Sequence, residues 1–345
     1  MADDALASEA PTPVLDVAGL TVEFPGRRGS VRVVDDVSLT VRPGEIVGLV
    51  GESGSGKSVT SLAILGLTRA TGGRVVAGRV AFEGTDLTGL DESALSRVRG
   101  RRIGMIFQQP TRSLDPAFTV GAQVAETIRR HERCSRSEAW ARGVDMLERV
   151  RIPDPARRAR QYPHEFSGGM CQRAMIAIAL SCNPALLIAD EPTTALDATV
   201  QRHVLDLLLE LRDAAGISIL LITHDIGVIA EVADSVSVMY AGQILETGAV
   251  ADVFGTPGHP YSSGLMQAVP QIGRRTLVGI AGNIPDPANL PIGCRFHPRC
   301  HAAVAGRCDV EPVELVVAPG RTLARCVRAG ELALPGVRAD VEPTS

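Results

Sequence analysis

Lysine is all but missing from this 345-residue chain. Lys57 is the single lysine among 35 lysine and arginine residues, and arginine supplies every other cation. A coding bias accounts for such a skew, and it turns the surviving lysine into a marker. A compact ammonium fits between phosphate oxygens where a planar guanidinium does not, so Lys57 stands where arginine cannot replace it. No apolar run approaches the ~20 residues that span a bilayer, so membrane association has to come through partners. No basic block is present and the net charge is −4, which gives no reason to expect nucleic acid as a partner. The opening MADDALASEAPTP has neither a basic nor an apolar stretch. Residues 1–13 therefore read as a disordered leader and not a signal peptide, and the protein is expected in the cytoplasm. Thiols stay reduced there, so the seven cysteines are not expected to form disulfides.

What is present is enough for a sizeable core. Hydrophobic residues make up 45% of the chain and charged residues 21%, which excludes global disorder. The length allows one large domain with an appendage, or two ordinary domains. Residues 14–24 and 31–41 alternate apolar and polar side chains, as antiparallel strands do. Glu45 to Val50 is a short buried strand running into glycines. From Lys57 the pattern turns helical through Leu62, Leu65 and Leu67. Arg79 to Phe82 and Ile103 to Phe107 read as further strands. Residues 111–182 are dominated by helical periodicity, which predicts an inserted helical subdomain. Strand-like runs return at Ala185 to Ala189 and Ile217 to Ile222, each followed by a helix. Such alternation predicts a parallel sheet covered on both faces, hence an α/β fold. From about Gln271 the chain becomes rich in Pro, Gly and Cys, which suggests a separate small module over 271–333 and a disordered tail over 334–345.

Gly51-Glu-Ser-Gly-Ser-Gly-Lys57-Ser58 lies between a strand and a helix, as a phosphate-binding loop must. Gly51, Gly54 and Gly56 let backbone N–H groups curl around phosphate oxygens, and the following helix adds its positive end. With Gly at ~7% of residues, a chance match in a chain this long is on the order of one in a hundred. Lys57 would reach the β- and γ-phosphates and Ser58 would bind Mg²⁺. Leu186 to Pro192 is an apolar strand ending in two carboxylates, Asp190 and Glu191. At the carboxyl end of a parallel strand that position faces the ligand, so Asp190 is the natural outer partner of Mg²⁺. Glu191, one residue on, can polarise the attacking water. Thr223-His224-Asp225 ends the next strand, where His224 could contact the γ-phosphate, although a lone histidine is more often structural. Gln108, at the end of another strand, could contact both Mg²⁺ and the water.

Phe166-Ser-Gly-Gly-Met170-Cys-Gln172 follows Tyr162-Pro-His-Glu165 and begins a helical run. It resembles the signature motif of ABC ATPases. With Gln108, Asp190-Glu191, the D-loop Ala195-Leu196-Asp197 and His224 in the expected order, residues 14–270 look like an ABC nucleotide-binding domain. The resemblance implies a P-loop core with an antiparallel β subdomain and a helical insertion, and ATP with Mg²⁺ as ligands. The implied contacts run through Gly51, Glu52, Ser53, Gly54, Ser55, Gly56, Lys57, Ser58 and Val59, with Phe24 stacked on adenine. It also implies a head-to-tail dimer, in which Ser167, Gly168, Gly169, Met170, Gln172 and Asp197 close the site of the partner. Ser-Gly-Gly at a helix start does offer a second nest of donors for a γ-phosphate. Two positions depart from the usual motif: Phe166 stands for leucine, and Cys171 for a basic residue.

Gly258-His259-Pro260-Tyr261 and Pro291-Ile-Gly-Cys294-Arg-Phe-His-Pro-Arg-Cys300 resemble the C-terminal extension of the dipeptide/oligopeptide/nickel importer group. That implies a second ATPase subunit (identical or homologous), two transmembrane permease subunits and an extracytoplasmic binding protein, with this chain at the cytoplasmic face of the membrane. The solute expected is a di- or oligopeptide, with nickel or another non-peptide solute as the alternative, and a soluble non-transport ABC ATPase the more distant one. Cys294, Cys300, Cys308 and Cys326 have gaps of 5, 7 and 17 residues. Structural zinc usually begins with cysteines two to four residues apart, so the spacing leans towards an iron–sulfur cluster. The resemblance implies a [4Fe-4S] cluster there. Zinc, recruiting His297 or His301, and four metal-free buried thiols remain alternatives.

Overall fold

The computed structural model describes residues 12–27, 29–194, 197–268 and 279–336. Strands β1 (Leu15–Gly26), β2 (Gly29–Val41) and β3 (Ile46–Val50) lead into helix α1 (Lys57–Ile64). Then come β4 (Arg74–Phe82), β5 (Thr85–Asp86), α2 (Glu92–Val98) and β6 (Ile103–Ile106). Five helices follow without an intervening strand: α3 (Pro110–Ser113), α4 (Val120–His131), α5 (Arg136–Arg149), α6 (Pro155–Arg158) and α7 (Gly168–Leu180). The core resumes with β7 (Leu186–Asp190), α8 (Ala198–Ala215), β8 (Ser218–Thr223), α9 (Ile226–Val232), β9 (Ser235–Tyr240) and β10 (Gln243–Ala249). Helices α10 (Val250–Gly255) and α11 (Pro260–Ala268) precede two short strands, β11 (Val316–Val317) and β12 (Leu323–Ala324).

Two sheets result. The smaller is antiparallel, in the order β2-β1-β4-β5, and the larger runs β11-β12-β10-β9-β3-β8-β7-β6. Within the larger sheet β9, β3, β8, β7 and β6 are mutually parallel. The reason lies in the residues. β3, β7 and β8 are buried at every position, which only a strand covered on both faces allows. Ile46, Val50, Ile219 and Leu221 pack into the core shared with α4, α5, α7 and α8. Their neighbours Val47, Leu49, Leu220 and Ile222 face the other way, towards α1 and the antiparallel sheet. Because the central strands are parallel, the residues following β3, β6, β7 and β8 all emerge at one end of the sheet, where ligands of open α/β folds bind.

The helix after the glycine-rich loop is shorter than its leucine spacing suggests. α1 ends at Ile64, Leu65 caps it, and the chain reverses at Gly66 before a short 3₁₀ turn. The C-terminal cysteine segment is also less separate than its composition suggests. β12 pairs with β10 and β11 with β12, so the segment extends the main sheet. Buried arginines fasten it further. Arg325 donates to the carbonyls of Ile244 and Val313 and to Asp36, at 3.1, 2.8 and 3.0 Å. Arg295 pairs with Asp35 and donates to the Ala241 carbonyl at 2.5 Å. The boundary placed at about residue 271, most of the leader 1–13 and residues 337–345 of the tail fall outside the described residues.

Candidate active site

Gly51 to Ser58 follows β3 and opens α1. The loop can close this tightly only with glycine: Gly51, Gly54 and Gly56 all have positive φ, and a Cβ on Gly51 would lie 2.0 Å from the Met239 carbonyl oxygen. Lys57, the first residue of α1, is 5% exposed. Its Nζ donates to the carbonyls of Gly51 (2.8 Å) and Glu52 (3.0 Å), across the mouth of the loop. Burial lowers the pKa of this amine, against the opposing charges of Glu191, Asp190 and Glu52.

Asp190 and Glu191 end β7 beside it. Ser58 Oγ donates to Asp190 Oδ1 at 3.2 Å and Ser61 Oγ reaches Oδ2 at 3.5 Å. Burial raises the Asp190 pKa, and neighbouring Glu191 adds to the rise against the Ser58 hydrogen bond. A hydroxyl and a buried carboxylate side by side, next to a phosphate loop, are a donor set that fits a small hard cation such as Mg²⁺. Glu191 sits at φ 50°, a conformation unusual for a side-chain-bearing residue. Its N–H donates to the Ile222 carbonyl at 2.8 Å, which fixes the turn. Its carboxylate accepts from Gln108 Nε2 (2.9 Å) and Thr194 Oγ1 (2.8 Å), and faces His224 Nδ1 at 3.4 Å. Burial works to raise this carboxyl, but the donors Thr194, Gln108 and His224 outweigh it and hold the pKa below the ordinary glutamate value. Glu191 is thus ionised and acceptor-rich, as a base needs to be.

Gln108, Glu191, Thr194 and His224 share one cleft of about 520 Å³ with Gly51, Glu52, Ser53, Ile226 and Leu265. Residues from four strand ends that are far apart in sequence therefore meet at one place. Ser55 is buried, with its Oγ unpartnered among the described residues, and Val59 packs from α1 against the smaller core. Phe24 is placed differently. It lies near the end of β1, partly buried, its ring so close over Gly73 that a Cβ there would lie 2.6 Å away, and it is not among the residues lining this cleft.

Ser167 caps α7, its Oγ accepting from the Met170 N–H at 3.3 Å. Ser167 and Gly168 are exposed, and a Cβ on Gly168 would meet nothing within 4 Å. Cys171 and Gln172 point the other way and are buried. Cys171 Sγ donates to the Pro163 carbonyl at 3.5 Å, a place a basic side chain would not occupy without losing its solvation. Asp197 caps α8 through Val200 N–H at 2.9 Å; Ala195 and Leu196 lie outside the described residues.

Comparison with known proteins decides what this arrangement is. Residues 34–194 match the ABC transporter family, and residues 245–308 the oligopeptide/dipeptide transporter C-terminal region. A Brucella melitensis protein named "Putative peptide import ATP-binding protein" is 48% identical over 93% of this chain and 98% of its own length. A Brucella abortus protein of the same name is 47% identical over 91% of this chain and 94% of its own. The chain belongs to the ABC transporter ATPases. Among solved structures, the ATP-binding cassette MJ0796, as a post-hydrolysis dimer bound to ADP and Pi, superposes with a TM-score of 0.62 at 28% identity, covering 68% of this chain and 98% of that one. Clostridium perfringens cbiO1, part of the cbiONQ ABC transporter complex, gives 0.60 at 26% identity, over 70% and 90%. Parallel-sheet core, antiparallel sheet and helical insertion are thus those of an ABC cassette.

In this ATPase the four C-terminal cysteines line a single narrow cavity with His259, His297 and Pro260. None is in a disulfide. The Cys308 sulfur accepts from the Val304 N–H at 3.4 Å. Burial pushes the Cys294 thiol up to about 11 and raises Cys300 and Cys326 as well. His259 is buried and held down to about 3 by burial, so it is neutral. Its Nδ1 accepts from the Tyr261 N–H at 3.0 Å, which puts the proton on Nε2, 4.0 Å from Cys294 Sγ. Four thiols gathered on one cavity suit a thiolate-held group in their chemistry. As they stand, no three His, Cys, Asp or Glu side chains among the described residues converge closely enough to hold a metal ion. His301 does not line the cavity.

Thr194, Tyr261 and Arg299 are site neighbours that sequence reading misses. Tyr261 Oη accepts from the Glu52 N–H at 3.0 Å, and Arg299 Nη1 donates to Glu52 at 3.0 Å. Thr194 could have been suspected from its place three residues after Glu191; the other two carry no local signal.

Proposed function

We propose that this ATPase powers import of di- or oligopeptides through separate membrane subunits. The observation that carries the catalytic reading is the convergence of Gln108, Thr194 and His224 on the Glu191 carboxylate, beside Lys57, Ser58 and Asp190. Gly51 to Val59 hold the triphosphate, with Lys57 against the β- and γ-phosphates. Mg²⁺, held by Ser58 and Asp190 with Gln108 nearby, neutralises phosphate charge when bound. Glu191 takes a proton from water, whose oxygen bonds to the γ-phosphorus as the bond to the β–γ bridging oxygen breaks. Gln108, Thr194 and His224 hold that carboxylate in place. Phe24, partly exposed near the end of β1, stacks on the adenine.

The exposed Ser167–Gly168 start of α7, with Gly169, Met170 and Asp197, closes the nucleotide site of a second ATPase subunit; Gln172, buried on the opposite side of the helix, does not reach that face. The complete transporter then contains two ATPases, two permeases and an extracytoplasmic binding protein, with this chain at the cytoplasmic face. The peptide assignment rests on the match of residues 245–308 and on the names of the relatives. Proteoliposomes holding the assembled transporter test it. ATP-driven uptake of a labelled oligopeptide is expected, and ATP-driven uptake of nickel without peptide would overturn it.

Cys294, Cys300, Cys308 and Cys326 would hold a [4Fe-4S] cluster, whose main contribution is a cross-link through a segment with little apolar core. Protein purified without oxygen should contain about four irons and four sulfides per chain. Stoichiometric zinc, or no metal, would contradict the cluster and leave the ATPase site untouched.

A further inference from the structure

Glu52 is an acid in a loop built to bind phosphate. Glu52 lines the triphosphate cleft, and an unbalanced negative charge so close to the phosphates would repel the ligand. The chain supplies an answer from 247 residues away. Arg299 sits in the 3₁₀ turn His297–Arg299, immediately before Cys300. Its Nη1 donates to Glu52 Oε2 at 3.0 Å, and its side chain is 7% exposed against 31% for Glu52. The guanidinium is fixed by its surroundings. Nε donates to the Ala281 carbonyl at 2.8 Å, Nη1 also reaches Tyr240 Oη at 3.3 Å, and the group lies 5.6 Å over the Tyr240 ring and 5.9 Å over Phe296. A second contact brings the same segment onto the loop, since a Cβ on Gly54 would meet Ile284 at 3.9 Å.

We propose that Arg299 is a positioning residue of the nucleotide site: it neutralises and holds Glu52, so that the cysteine-bearing segment completes the phosphate loop. The proposal rests on the nucleotide site described above. Arg299 acts through Glu52 and does not touch the triphosphate. Glu52 is held at three points, the carboxylate by Arg299, the N–H by Tyr261 Oη and the carbonyl by Lys57 Nζ. Removing the guanidinium leaves the carboxylate of a cleft-lining residue with nothing to balance it. Removing both charges takes away the repulsion as well.

The test is MgATP affinity of the full-length protein, measured by competition with a fluorescent ATP analogue. Arg299→Gln retains hydrogen-bonding capacity towards the Ala281 carbonyl and loses the charge. It should weaken MgATP binding about tenfold, Arg299→Lys, which keeps the charge that balances Glu52, should stay within about threefold, and Glu52→Gln/Arg299→Gln should return to within about threefold of the native protein. Rescue by removing a second native group is something a merely structural role would not produce. Arg307→Gln is the control: it breaks the exposed pairing of Arg307 with Glu331 in the same segment, away from Glu52, and should leave affinity unchanged. Native affinity in Arg299→Gln, a double variant as weak as Arg299→Gln, or equal weakening in Arg307→Gln would each overturn the proposal. If Arg299→Gln does not accumulate in soluble form, Arg299→Lys and the double variant decide it, since both must then bind MgATP like the native protein. Failure of the native protein to bind MgATP would instead sink the nucleotide-site reading itself.

Discussion

Replacing Glu191 by glutamine separates chemistry from folding. The two side chains have the same size and shape. The amide oxygen can still accept from Gln108 or Thr194, which now bond the carboxylate at 2.9 and 2.8 Å. What is lost is one charge-assisted acceptor and the contact facing His224 at 3.4 Å. A hydrogen bond of this kind contributes about 1 kcal/mol net, or somewhat more with a charged partner, so the protein should remain folded. Lys57, Ser58 and the loop backbone are untouched, so MgATP should bind within about threefold of the native affinity. A positioned base contributes about 10²–10⁴-fold to rate, which is roughly 2.7–5.4 kcal/mol at 1.36 kcal/mol per decade. Steady-state phosphate release at saturating MgATP should therefore fall by at least about a hundredfold. The reasoning is refuted if the rate stays within about fivefold of native, or if the whole loss appears in nucleotide affinity.

Other consequences follow from buried groups. Glu246 is fully buried, and burial raises its carboxyl pKa despite donation from the Gly258 and His259 N–H groups and the Thr322 hydroxyl. Its folded pKa lies above the unfolded value, so its contribution is fully present below about pH 4.5 and is lost as pH rises through the folded value. The melting temperature of Glu246→Gln relative to native protein should climb between pH 4.5 and 8; a constant difference would contradict this. Cys294→Ser should strip iron from anaerobically purified protein and lower its melting temperature, whereas Cys171→Ser, buried against Pro163, should keep the iron. Equal iron in both variants would remove the cysteine cavity as the site.

What can be read from the sequence is what the chain writes locally. The loop Gly51 to Ser58 needs glycines and a lysine in adjacent positions, so eight consecutive residues declare it. β7 and β8 are continuous apolar runs ending in polar residues, and that pattern alone places Asp190, Glu191 and His224 at strand ends. The same pattern cannot foresee Glu52 meeting Tyr261 and Arg299, 209 and 247 residues further on, because side-chain pairs at such separation leave no spacing rule. Composition also makes the cysteine segment look detached when it is not. Two-residue strands such as β11 and β12 are too short to show alternation, and what fastens the segment is arginines aimed at Asp35, Asp36 and Glu52. The motif position of Phe24 points to adenine stacking, and it does not reveal that Gly73 leaves room for the ring to lie back.

The central claim, a triphosphate held at Gly51 to Ser58, can be tested through the residue with which the sequence singles itself out. Lys57 is the only lysine, so a small amine-directed acylating reagent has two targets, its Nζ and the chain's amino terminus. The buried Lys57 amine has a lowered pKa, which favours its reactive free-base form. Peptide mass spectrometry after labelling should show Lys57 acylated without nucleotide and protected by MgATP, with the amino terminus labelled equally in both. Lys57 labelling that saturating MgATP leaves unchanged would contradict the account.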